Sequence, residues 1–566
     1  MAGAVIENLS NQKLSYILGI LFLVQIAFFL VGAWLAPKPT SSMEFLFRSC
    51  IDANVTGRNW VDHQNCHEIE LAEHKPLSYD LREIVFMTQM PHKRDNQQLR
   101  YHPSFQFLLG VMQPEIRSTA AFKYVRGSKL RLEVRMGARS GGDEKWRDWI
   151  EADVVRELDC HFPWGHESGD MRCEALDFFE IGYVPFPFYV MNIRIPIDRE
   201  GCARDPKNTA NCDVGELVGL IMVVIHQNGG FTMVWAWMKT IVVPFLFLTV
   251  RWYWDRVQSL ARPPLLLEKA IFALGVSTTV LDLPIEWLPL WFERVPFMLL
   301  LGDLRQGLFY AVLCSFWLIF AGEHLIDDPT RNNLKSYWRN LSLVGSAGVA
   351  LLVYDMCERG MQLSDPFYSI WSSSTGTKLA YLSIYLATLF TVIYFSFLFY
   401  KIWMVWKLIK QKRSNQYYQN NESRRLKVEA IIFRFKFLML FTLLCAFLTI
   451  LSYAMKQHGE AQLHDDEPQE SLLTNSTSAF FTGTFGMWNI YVFLLLSMYA
   501  PSHKQYAGAQ HLMDETEKPN CTFAPSHKQY AGAPVNPKIA SQRLNPNIVE
   551  ITGESVNLAA DDTTFP

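Results

Sequence analysis

The stretch FMLLLGDLRQGLFYAVLCSFWLIFAGEHL at 297–325 is apolar for long enough to cross a bilayer, yet it carries Asp303 and Arg305 near its start. A span needs about 20 mostly apolar residues, and an ionisable side chain at depth costs roughly 2.5–3.5 kcal/mol on insertion scales, so such groups face a bundle interior or a cavity. The stretch therefore reads as a membrane helix with charge inside it, one of several. Its helical spacing sorts the side chains into two stripes. Asp303, Gly307, Tyr310, Cys314, Trp317 and Ala321 form a mixed one, whereas Phe309, Leu313, Phe316 and Phe320 form a wholly apolar one. The mixed stripe suits neighbouring helices and the apolar stripe suits lipid, whether bilayer lipid or an acyl chain held in a cavity.

The rest of the chain distributes its apolar residues in the same way. Of 566 residues, 50% are hydrophobic, and they are gathered into long runs. A formal net charge of -3 gives no support to nucleic-acid binding. The run at 14–36 holds 23 residues without a charge. That exceeds the roughly 7–15-residue apolar core of a signal peptide, so an uncleaved anchor is expected over 1–36. A hydrophilic region follows at 37–230. Within it Leu130, Leu132, Val134 and Met136 alternate with Arg131, Glu133 and Arg135, and Tyr189, Met191, Ile193, Ile195 and Ile197 repeat the pattern. The stretch 217–225 reads as a buried strand. Several such strands must bury their faces on a second sheet, so an all-β sandwich is expected.

Seven further spans follow over 231–500, centred near Val243, Gly275, Leu313, Val349, Thr391, Leu443 and Phe493. The expected fold is therefore an eight-span helical bundle with an inserted β-sandwich. Charges in the connections orient it. Lys401, Lys407, Lys410, Lys412, Arg413, Arg424, Arg425 and Lys427 precede the run near Leu443, whereas 456–479 carries one lysine against Glu460, Asp465, Asp466, Glu467 and Glu470. By the positive-inside rule the basic connection is cytoplasmic, which puts both termini there and the hydrophilic region in the lumen. Six cysteines lie in that region, consistent with an oxidising compartment. They leave several connectivities open, of which the short-range set Cys50 with Cys66, Cys160 with Cys173 and Cys202 with Cys212 is favoured. Asn54 and Asn475 begin glycosylation sequons on the same side. The tail at 501–566 reads as disordered from its composition, and APSHKQYAGA occurs in it twice, at 500–509 and 524–533.

Asp282, Glu286, Asp303, Arg305, Asp355, Glu358 and Arg359 are the ionisable groups in or at the luminal half of the bundle. If the third and fourth spans turn between Pro289 and Pro296, Asp282 and Arg305 lie about 10 and 13 Å from that turn. Opposite charges at similar depth on neighbouring helices should pair, giving a structural polar layer. Asp303 and Arg305, two residues apart on one helix, do not face each other. An intramembrane metal hydrolase would need several histidines or cysteines on one metal, and from 231 to 455 the only histidine is His324. There is no GxSxG and no GxxxxGK[ST] loop. An enzyme is therefore not expected, nor a cofactor or a metal.

Longer motifs carry a specific resemblance. MAGAVIENLS at the N-terminus, HQNGGFT from 226, RPPLLLEKAIFALG from 262, LGDLRQG from 301, SFWLIFAGEH from 315, DMCERGMQLSDPFYSIW from 355, FRFKFLML from 433, FFTGTFGMWNIYVF from 480 and YAPSHK from 499 occur in the order found in the Wntless family. The chain resembles that family over 1 to about 504. The resemblance implies a luminal β-sandwich, a receptor-like seven-helix bundle after the anchor, and a cavity holding the palmitoleoyl chain of a Wnt protein. It also implies passage through endoplasmic reticulum, Golgi, plasma membrane and endosomes, with retromer and endocytic adaptors as trafficking partners beside membrane lipid. Helix phase nominates Phe309, Phe316, Tyr354 and Phe390 as lining for the acyl chain. The sequence departs from the family in Cys202 and Cys212, in VEAI from 428 where some relatives carry a tyrosine-based signal, and in its tail ending. A seven-span signalling receptor with a luminal or extracellular ligand-binding domain is the rival expectation. A transporter is weaker, because the two halves show no internal repeat.

Overall fold

The computed structural model describes Val5 and residues 11–502, apart from 53–59, 70–83, 95–96, 120–122, 144, 163–168, 206–208, 261, 293–294, 326–331, 415–436, 452–471 and a few positions between 438 and 450. Asn54, the basic residues from 415 to 427, the acidic connection at 456–471, the tail from 503 and the second APSHKQYAGA lie outside the described residues, as does most of the run near Leu443.

Residues 40–227 form the strands β1 (Thr40–Leu46), β2 (Arg48–Ile51), β3 (His67–Glu68), β4 (Ile84–Met90), β5 (Lys93–Arg94), β6 (Gln97–Gln98), β7 (Leu108–Ser118), β8 (Lys129–Arg139), β9 (Arg147–Glu157), β10 (Cys160–His161), β11 (Gly169–Cys173), β12 (Leu176–Ile181), β13 (Phe188–Arg194) and β14 (Glu216–Gln227). They pair antiparallel, β5 with β6 in a two-stranded sheet and the other twelve in two six-stranded ones. One runs β1-β14-β7-β11-β10, with β12 also on β7; the other runs β3-β2-β4-β13-β8-β9. The alternation in β8 fixes which face is dry: Leu130, Leu132, Val134 and Met136 enter one core with Tyr189, Met191 and Ile193 of β13 and Leu220, Met222 and Val224 of β14.

Two strands depart from their sequence reading. β14 is not buried on both faces, because Ile221, Val223 and Ile225 are only half-covered between the fully buried positions. β13 is buried on both, since Val190 on its outer face packs with Cys50, Val61, Val85 and Met87. Asn192 beside it accepts the Val61 N–H at 3.0 Å and donates to the Val61 carbonyl at 2.8 Å. β13 ends at Arg194 rather than continuing through Ile197, because Pro196 has no N–H for the ladder. Three disulfides join Cys50 to Cys66, Cys160 to Cys173 and Cys202 to Cys212.

Among the described residues, seven long helices accompany this β domain: α1 (Asn11–Leu30), α2 (Gly229–Gln258), α3 (Leu266–Asp282), α4 (Met298–Leu325), α5 (Leu334–Gln362), α6 (Ser374–Ser414) and α7 (Leu472–Met498). Each is long and apolar enough to cross a membrane, α1 together with the π-helical turn Val31–Leu35 that continues it and α3 together with the helical turns Ile285–Trp287 and Leu288–Trp291 that follow it. The chain is a multi-pass membrane protein. α2 packs on α3 and α7, α3 on α4, α4 on α5 and α6, and α5 on α6. α1 belongs to the same bundle: at Gly483 and Gly486 a Cβ would collide with Phe29 and Phe28, so only glycine permits this approach. Thr482 Oγ1 donates to the Phe28 carbonyl at 2.7 Å, and Gln25 Nε2 to the Gly483 carbonyl at 2.8 Å.

Two connections are shorter than the sequence implies. α6 has 41 residues and carries Lys401 to Arg413 on its helical end, about twice the length a bilayer requires. α7 begins at Leu472, so Asn475 lies on a helix and not in a loop. Ser and Thr favour loops where their side chains compete for the main chain. Here Ser478 instead gives its hydroxyl to the Pro37 carbonyl and is buried.

Candidate functional site

A cavity of about 620 Å3 lies where the β domain meets α4 and α5. Its upper wall is Arg156 of β9 with Asp177 to Glu180 of β12. Its lower wall is Asp303, Gln306 and Tyr310 of α4 with Tyr354, Asp355, Glu358 and Arg359 of α5, and the α5–α6 connection closes one side with Tyr368 and Trp371. The volume falls within the range of small-ligand sites, roughly 300–1,000 Å3.

The connection between α5 and α6 holds these walls together. Phe367 is 3% exposed and enters the sandwich core, with its ring 5.3 Å from Phe178 and 5.7 Å from Phe179. The Glu180 N–H donates to the Pro366 carbonyl at 2.9 Å. Arg156 bridges the two parts, donating from Nη2 to the Phe367 carbonyl at 2.8 Å and from Nε to the Asp177 carbonyl at 2.9 Å. Burial pulls its guanidinium below the ordinary arginine range, against the attraction of Asp177, Glu358 and Asp365. Glu358 anchors the connection from below, accepting the Ile370 N–H at 2.7 Å and Gln362 Nε2 at 3.1 Å. Arg359 forms an ion pair with Glu180 and lies 3.5 Å from Asp303.

The ionisable groups expected to form one polar layer form two. Asp303, Asp355 and Arg359 line the cavity. Asp282, Glu286 and Arg305 lie in a separate buried cluster with Lys239 of α2, whose Nζ reaches Glu286 Oε1 at 2.6 Å. The expected pairing of Arg305 with Asp282 is corrected in its geometry. The span reaches Trp291, close to the expected turn at Pro289, but its regular α-helix breaks at Asp282 and leaves main-chain carbonyls free at that last turn. Arg305 Nη1 donates to the carbonyls of Val280 at 3.4 Å, Leu281 at 3.2 Å and Leu283 at 2.8 Å. A cation is favourable at a helix C-terminus, so the guanidinium caps α3.

The nominated lining residues also separate. Tyr354 lines the cavity. Phe390 is half-buried on α6. Phe309 and Phe316 are each 1% exposed and lie in the bundle core, Phe309 against Trp488 at 5.5 Å and Phe316 against Phe320 at 5.7 Å. The stripe read as lipid-facing is thus the packed one, and the mixed stripe opens outward at Gly307 and Tyr310. α4 is flanked by α3, α5 and α6, and one helix's phase cannot say on which side its neighbours stand. Reading the sequence missed Lys239, Arg156, Asp177, Glu180, Gln306 and Trp371. Of these, only Lys239, a single charge within an apolar run, left a local signal.

Comparison with known proteins agrees with this two-part architecture. Residues 48–227 match the family model described as Wntless, GOLD domain, and residues 228–503 match that described as Wntless-like, transmembrane domain. The chain is 56% identical to the protein wntless homolog of Caenorhabditis elegans over 522 residues, covering 91% of this chain and 94% of that one. It is 39% identical to the homologs of Homo sapiens and Gallus gallus, over 520 and 521 residues, each match covering 90% of this chain and 93% of the relative. With a β-sandwich and a helical bundle each matched by its own model and most of both chains aligned, this chain belongs to the Wntless family.

Proposed function

We propose that this protein carries lipid-modified Wnt proteins through the secretory pathway, with the β domain in the lumen and both termini in the cytoplasm. The observation that carries this reading is the cavity shared by the β domain and the bundle, in a chain of the Wntless family. Its mouth is charged, with Asp177, Glu180, Asp303, Asp355 and Glu358 facing Arg156 and Arg359, and its aromatic lining is Tyr310, Tyr354 and Trp371. Such a site suits a polar polypeptide segment bearing an apolar attachment. Tyr354 of α5 and Phe390 of α6 are the residues we assign to the acyl chain, while Phe309 supports the lining through its contact with Tyr310, 5.5 Å between rings.

A chain of about 16 carbons gains on the order of 10 kcal/mol on leaving water, at about 0.8 kcal/mol per buried methylene. An acylated protein therefore stays on membranes unless its chain is sheltered, and a carrier supplies the shelter. The test is co-purification of cargo from secreting cells with and without blockade of Wnt acylation. Capture should fall when acylation is blocked, and Tyr354→Asp should lower capture of the acylated form alone. Equal capture of acylated and unacylated cargo would defeat the acyl-cavity reading and move recognition to the β domain. A second-messenger response to added ligand, with no cargo retained on purification, would favour a receptor.

A further inference from the structure

Apart from the carrier cavity, and independent of that reading, the turn joining α3 to α4 gathers polar atoms that protein groups do not satisfy. Asp282, Arg305 and Asn489 are 2%, 7% and 7% exposed, and Glu286 is also buried. Asp282 Oδ2, Glu286 Oε2, Asn489 Oδ1 and Arg305 Nε all lack a hydrogen-bond partner within the protein. They belong to one cluster. Asn489 adjoins Asp282, and Lys239, Arg305 and Glu286 all act on it electrostatically. Other atoms of these side chains are engaged: Lys239 holds Glu286 Oε1, Arg305 Nη1 caps the end of α3, and Asn489 Nδ2 donates to the Phe485 carbonyl at 3.1 Å.

Two counts identify what these atoms bind. By charge, Lys239 and Arg305 balance Asp282 and Glu286, so a bound metal cation would add an uncompensated charge to a buried layer. By hydrogen bonding, three of the four unpartnered atoms accept and one donates, so a group that donates and accepts without adding charge completes them. Water meets both conditions. It can accept from Arg305 Nε and donate to the carboxylates and the Asn489 amide oxygen, and buried waters commonly make about three such bonds.

We propose that this turn is an internal hydration site whose waters bridge Asp282, Glu286, Asn489 and Arg305 and so link α3, α4 and α7. Lys239 brings α2 to the same site through Glu286. The site also reaches the β domain, because Gln106 Nε2 donates to the Glu286 main-chain carbonyl at 3.4 Å.

The test is a structure of the full chain in lipid nanodiscs at a resolution that shows ordered solvent, for the wild type and for Asp282→Asn. Solvent peaks at hydrogen-bonding distance from Asp282 Oδ2, Glu286 Oε2 and Asn489 Oδ1 are expected in the wild type. The amide introduced by Asp282→Asn supplies its own donor, so the peak beside that position should be lost while the helices stay in place. If the variant does not fold, the wild-type map decides alone. A dry cluster with Asp282 bonded directly to Lys239 or Arg305 would overturn the proposal. So would a thermal midpoint that rises when choline chloride is replaced by sodium chloride and no longer rises in Asp282→Asn, since that marks a cation site.

Discussion

The β domain and the bundle both contain ion pairs, and pairs chosen from each stand in opposite surroundings. On the β domain Arg131 grips Asp153 with both side chains close to half exposed, and Arg117 meets Asp170 with similar access to water. In the bundle, Lys239 and Glu286 have side chains 7% and 11% exposed. The lesson concerns what each pair does when broken. Water replaces a lost surface partner at little cost, whereas a buried charge left alone keeps its full desolvation penalty. The β domain therefore draws its stability from a core closed by two sheets. The bundle depends on complete polar accounting: an ion pair, a capped helix end and the proposed waters.

The largest expected effect tests that contrast directly. Lys239→Met should destabilise the bundle by about 3–5 kcal/mol, because it strands Glu286. Adding Glu286→Leu should restore much of the loss, read as recovery of a monodisperse folded fraction after detergent extraction. If the single and double variants fold equally poorly, packing rather than charge is the cause. Arg305 gives a companion case: Arg305→Leu removes the cap of α3 along with the charge, so a neutral change at Asp282 should rescue it only in part.

Next is the joint between the two regions. Phe367→Ala removes a ring from the sandwich core although the residue belongs to the α5–α6 connection, and about 3–5 kcal/mol of packing should be lost. Limited proteolysis should then cut the connection faster while the disulfides of the β domain stay intact. Cargo capture should fall with it if the cavity needs both walls.

Acid should affect the two regions unequally. Burial lowers the pKa of His226 at the end of β14 and of His92, opposed in each by a main-chain hydrogen bond. A lowered folded value means the unfolded chain binds the proton first. Stability is therefore whole above the ordinary histidine value of about 6.5 and falls as pH drops from there toward the folded values. Thermal midpoints of the wild type should decline over that window, and His226→Gln should flatten the decline. The smallest effect is expected at Arg131→Ala, below about 1 kcal/mol, because its partner Asp153 stays hydrated.

What the sequence determined by itself is what local spacing can encode. Period-two alternation in β8 and β13 specified strands with a dry face, uncharged runs specified helices that cross a membrane, and long ordered motifs specified the family. Charge within the run at 297–325 required a bundle with a polar interior, and the structure has one. The direction of each helix face came only from tertiary packing. Phe309 and Phe316 form an apolar stripe that serves lipid or a neighbouring helix equally well, because bilayer and bundle core are about equally apolar. The burial of that stripe depends on where α3, α5, α6 and α7 stand. The same holds for partners far apart in the chain. Arg156 and Phe367, Arg359 and Glu180, and Lys239 and Glu286 meet only after the β domain has docked and the helices have assembled, so the cavity and the separate buried cluster exist only in the folded protein.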